Sequence, residues 1–60
     1  MQFKCEIDMY NDAFAEDPHV ELSRIIKHIS NQVYEFECSE RYKAIWDDNG
    51  SKVGYWKIKV

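Results

Sequence analysis

Within the twelve residues NDAFAEDPHVEL, Asn11 to Leu22, stand four acids, Asp12, Glu16, Asp17 and Glu21, and one histidine, His19. Such a set could hold a hard cation or supply a general acid. An EF-hand loop, however, needs acids at alternate positions, a central glycine and a distal glutamate, and this window has none of that pattern. His19 has no second histidine one helical turn away. The window reads instead as the start of a helix: aspartate is favoured at the N-cap, and proline at the first helical position has no amide hydrogen to leave unpaired. Asp17-Pro18 fits both positions, and Glu21 would then meet the positive end of the helix dipole. Asn11, Ala13 and Phe14 have no part in that capping, and Phe14 is expected to fold back over the core.

Other chemistry is equally poorly supported. Cys5, Cys38, His19 and His28 match no zinc spacing, and two thiols with no CxxC pair are expected to stay free in a reducing compartment. Sixty residues leave hardly any room for an enclosed pocket, so no catalytic residue, metal ligand or cofactor is expected.

The elements that position these residues follow from periodicity. Phe3, Cys5, Ile7 and Met9 alternate with Lys4, Glu6, Asp8 and Tyr10, which predicts a strand from Gln2 to Tyr10 with one buried side. Leu22, Ile25, Ile26, Ile29, Val33 and Phe36 recur at helical spacing, which predicts a helix over 18–37. The last twenty residues read as a hairpin around Asp48-Asn49-Gly50, taken as a three-residue loop with Gly50 left-handed. This choice places Tyr42, Ala44 and Trp46 inward beside Gly54, Trp56, Ile58 and Val60, and turns Lys43, Ile45, Val53, Tyr55 and Lys57 outward.

The predicted fold is therefore α+β: a single β-α-β-β domain with one helix on a three-stranded antiparallel sheet in the order β1-β3-β2, the mixed order β1-β2-β3 being the alternative. The predicted core is Phe3, Cys5, Ile7, Met9, Leu22, Ile25, Ile26, Ile29, Val33, Phe36, Ala44, Trp46, Trp56 and Ile58.

Composition narrows function further. The chain is 45% hydrophobic and 32% charged, on the globular side of the border with disorder, and its formal net charge of −3 disfavours a protein devoted to neutralising phosphates. Its eleven acids against eight bases are also too dilute to imitate DNA. No run is long and apolar enough for a membrane span, and a soluble cytoplasmic protein is expected.

What remains is binding. The expected outer sheet side shows Ile45, Val53 and Tyr55 ringed by Lys43 and Lys57, and the loop before the helix offers Tyr10, Asn11 and Phe14; these eight residues are the candidate partner contacts. A protein partner is the first reading, single-stranded nucleic acid on the same side is the weaker one, and a structural homodimer is the third.

Two segments, DMYNDAF with ELSRIIKHI and WDDNGSKVGYWKI, resemble a set of short uncharacterised phage and prophage proteins. In these an Asn/Asp-Ala-Phe loop precedes an acidic helix start, and an Asp-x-Asn-Gly-x-x-Val-Gly hairpin closes the chain. The matched positions are Asn11, Ala13, Phe14, Asp47, Asn49, Gly50, Val53 and Gly54. The resemblance implies phage origin, a host cytoplasm and an accessory role exerted by binding a host or defence protein.

Overall fold

The computed structural model describes residues 1–35 and 42–59. Strand β1 spans Gln2–Ile7, a single 3-10 turn spans Asp12–Phe14, helix α1 spans Pro18–Glu35, and strands β2 and β3 span Lys43–Trp46 and Lys52–Lys59. The sheet is antiparallel in the order β1-β3-β2, as the apolar character of the sequence from Tyr55 to Val60 predicts for a central strand. The expected end of the helix at residue 37, together with Phe36 and Cys38, lies outside the described residues.

Helix α1 begins where the Asp17-Pro18 signal places it. The Asp17 carbonyl accepts from the amides of Val20 and Glu21. Its inward side is rotated from the expected stripe: Glu21, Ile25 and Ile29 are buried at intervals of four, whereas Ile26 is exposed. Polar contacts at both ends explain the rotation. Glu21 is drawn to the hairpin backbone, and Gln32 accepts from the indole N–H of Trp56 at 2.9 Å.

Strand β1 is shorter than its alternation suggests. The Asp8 carboxylate accepts from the Tyr10 amide at 3.0 Å, a turn that ends the strand and leaves Met9 exposed. Phe3 and Cys5 point to the helix side in register with Ile58 and Trp56 but are exposed there, so the expected burial of this half of the sheet is corrected.

The hairpin carries the main correction. Its loop is Asp48-Asn49-Gly50, closed by Asp47 N–H to the Ser51 carbonyl at 2.9 Å and Gly50 N–H to the Asp47 carbonyl at 3.0 Å, with Gly50 at φ +81°. That is the loop expected from the sequence. Beyond it the pairing steps from Trp46 opposite Lys52 to Ile45 opposite Gly54, so Val53 has no mate and forms a bulge. One extra residue exchanges the two sides of everything that follows. Ile45, 4% exposed, and Val53, 5% exposed, are therefore in the core, whereas Trp46, assigned inward, is 55% exposed. The core comprises Phe14, Ile25, Ile29, Ile45, Val53 and a fully buried Trp56, with Ile7, Ala13, Leu22, Val33 and Ile58 packed against it.

Candidate functional site

The opening window separates into two groups. Asp12, Glu16, Asp17 and His19 are exposed, and among the described residues no three His, Cys, Asp or Glu side chains come together as a metal ion requires. Glu21 goes elsewhere. It is buried, receives two hydrogen bonds from the Arg24 guanidinium at 2.7 and 2.9 Å, and accepts from the Asp48 amide at 2.8 Å. The Arg24 hydrogen bonds hold its carboxyl below the usual range against the opposing cost of burial, and the same contact raises the guanidinium of Arg24.

Asp47 is the second buried acid. Its Oδ1 accepts from the amides of Ser51 at 2.8 Å and Asn49 at 2.9 Å, and its Oδ2 accepts from the Asn11 side-chain amide at 3.1 Å. These donors, Ser51 first, hold its carboxyl low. Glu21 and Asp47 thus tie the helix start and the loop after β1 to the hairpin. Phe14, 3% exposed, closes the same region from within the core, as its expected folding back requires.

The same arrangement uses Asn11, Ala13, Phe14, Gly50, Val53 and Gly54. Asn11 bonds Asp47, Ala13 and Phe14 pack on the core, Gly50 makes the loop, and Val53 is the bulge. Gly54 meets the backbone of β1: a Cβ there would lie 1.8 Å from the Glu6 carbonyl oxygen. Each of these contacts holds the fold together. None presents a reactive group to solvent.

Of the eight candidate contacts, Phe14, Ile45 and Val53 are buried and unavailable to a partner, and Asn11 is committed to Asp47. Lys43 lies opposite Trp56 on the helix side, at the β2 margin. Tyr10, in the turn that follows β1, is exposed and lines an open groove with Met9, Gly54 and Tyr55. Only Tyr55 and Lys57 remain on the outer side of the sheet as expected.

The aliphatic patch is replaced by an aromatic and basic one. Tyr42 and Tyr55 pack edge to face with ring centroids 6.0 Å apart, and the Lys52 ammonium sits 5.3 Å from the Tyr42 ring centroid. Together with Lys57 they line a shallow open depression. Alternation along the strands adds Lys4, Glu6 and Lys59 to this side, with Trp46 at the β2 edge. The sequence held the signal in the alternation of Tyr42 and Tyr55, but its reading depended on the register. A second, smaller cleft between α1 and β2 is lined by Arg24, His28, Gln32, Ala44 and Trp46.

No protein-family model matches the chain, and no curated protein or solved structure matches it either. No helix among the described residues is long and apolar enough to cross a membrane.

Proposed function

We propose that this protein is a small non-catalytic binding module, of the phage accessory kind that its loop and hairpin motifs resemble, and that it docks a host or defence protein on the outer side of its sheet. The observation that carries this reading is the preorganised group of Tyr42, Tyr55, Lys52 and Lys57. Tyrosine and tryptophan are enriched at protein interfaces because a rigid ring supplies large contact area at little entropic cost. Here the rings already hold one another in place, so less ordering remains to be paid on binding. The lysines around them suit an acidic partner surface and speed its encounter.

A specific feature also favours single-stranded nucleic acid. Stackable rings and lysines now share one open side, which the sequence reading had divided between two. The net charge of −3 weighs less than it does in the sequence alone. The molecule measures 36 × 18 × 16 Å, and charges beyond the Debye length of ~8 Å are largely screened.

Affinity capture from host lysate, with and without nuclease, separates the two readings. The protein-partner reading expects nuclease-resistant capture of a specific protein, lost in Tyr42→Ala/Lys57→Glu while circular dichroism stays that of the wild type. Capture that survives this double substitution refutes the outer side as the docking surface. Capture that vanishes with nuclease and falls steeply with salt selects nucleic acid instead.

A further inference from the structure

Among the described residues no strand pairs with the outer edge of β1, and that edge has a chemistry that the proposed docking surface does not use. The Asp8 amide donates to the Val53 carbonyl at 2.7 Å across the Ile7–Gly54 pair, which makes that pair a non-hydrogen-bonded one. By alternation, the backbone groups of Gln2, Lys4, Glu6 and Asp8 face β3, and those of Phe3, Cys5 and Ile7 point out of the sheet. β1 is an edge strand in the order β1-β3-β2, has no proline, and pairs without irregularity along its length. Edges of this kind template a further strand unless charge or shape prevents it.

Charge here selects one occupant. We infer that β1 pairs antiparallel with β1 of a second copy of this chain, with Cys5 opposite Cys5 of that copy on a twofold axis. In this register Lys4 faces Glu6 of the mate and Glu6 faces its Lys4, while Phe3 faces Ile7. The outward backbone groups of Phe3, Cys5 and Ile7 then fall on hydrogen-bonded pairs, closing about six bonds. Shifting the register by two residues either way sets Lys4 against Lys4 or Glu6 against Glu6, which like-charge repulsion disfavours.

Two features of the single chain are accounted for by this mate. Lys4 stands directly opposite Lys57 within its own sheet, a like-charged pair, and the mate's Glu6 would flank Lys4 on its other side. Phe3 packs on Trp56 with centroids 5.9 Å apart yet is 53% exposed, and the mate's Ile7 would cover it. The result is a six-stranded sheet with both helices on one side, so the two outer sides join into one bivalent surface. This inference goes beyond the docking reading and stands or falls separately from it.

Sedimentation equilibrium of the full chain, under reducing conditions, tests the pairing by charge exchange. Wild type is expected to sediment as a dimer, Lys4→Glu and Glu6→Lys each as monomers, and an equimolar mixture of the two variants as a heterodimer, because each then meets its complement. Should either single variant fail to fold, the double exchange Lys4→Glu/Glu6→Lys keeps both ion pairs and must dimerise like wild type. The inference is overturned by a wild type that stays monomeric up to about 1 mM. It is equally overturned by single variants as dimeric as wild type, or by a folded mixture or double variant that remains monomeric. A monomer whose Lys4→Glu variant loses capture of a host protein would assign the edge to that protein's strand instead.

Discussion

Replacing Gly54 by alanine puts the hairpin bulge and the β1–β3 contact to one test. The new methyl would sit 1.8 Å from the Glu6 carbonyl oxygen, 2.8 Å from its carbon and 3.1 Å from the Ile7 Cα, all backbone atoms that no rotamer change can move. Ordinary contact begins near 3.4 Å, so β1 and β3 must part locally by 3.4 − 1.8 = 1.6 Å. A displacement of that size breaks the hydrogen bonds flanking the pair, including Asp8 to Val53. About three such bonds at ~1 kcal/mol each, plus ~1–3 kcal/mol for shifted core contacts, give roughly 4–6 kcal/mol. A 60-residue domain has only ~3–9 kcal/mol to lose. Gly54→Ala is therefore expected to be largely unfolded in urea titrations followed by far-ultraviolet circular dichroism. Gly50→Ala is the control: its φ of +81° strains an L-residue by ~1–2 kcal/mol, but nothing lies within 4 Å of the added carbon. With a urea slope near ~1 kcal/mol/M, that control shifts the midpoint by only ~1–2 M. A Gly54→Ala midpoint equal to or above that of Gly50→Ala would refute the close approach and the register built on it.

Other consequences can be checked with the same protein. Phe14→Ala should cost ~3–5 kcal/mol in urea titration because it empties a buried site, whereas the nearby, exposed Tyr10→Ala should stay within ~0.5 kcal/mol. Trp46→Phe should remove the solvent-exposed part of the tryptophan emission and leave a blue-shifted, iodide-protected Trp56; quenching of the remaining signal as in free tryptophan would contradict the observed hairpin sides. Glu21 and Asp47 both titrate below their ordinary values of 4.5 and 3.8, so their charged forms favour folding. That stabilisation is complete above pH 4.5 and is lost as pH falls through the depressed values. Urea midpoints should therefore drop with acidification below pH 4.5, and Glu21→Gln should start lower at neutral pH, by roughly 1–3 kcal/mol, with a shallower acid slope.

Much of the architecture was legible from local signals. Asp17-Pro18 marked the helix start, period-two alternation marked β1, and Asp48-Asn49-Gly50 marked the loop, because each depends on the covalent geometry of a few adjacent residues. The strand order also followed, since the most apolar strand occupies the centre. The misassigned side of β2 has a definite cause. A bulge at Val53 carries no composition of its own: it shows only in the register, where Val53 is buried in the core cluster and Gly54 closely approaches the β1 backbone.

The candidate surface turned on that same bulge. Sequence alone determined the β-α-β-β order of the described elements and the acidic helix start, both properties of local pattern and composition. Tertiary structure decided which residues of the hairpin face solvent, because a single unmatched residue 53 exchanges the two sides of a strand. It also decided the fate of NDAFAEDPHVEL: Glu21 reaches a donor, the Asp48 amide, and Asn11 an acceptor, the Asp47 carboxylate, on a hairpin distant in sequence, and only the folded chain brings those partners within 3.1 Å.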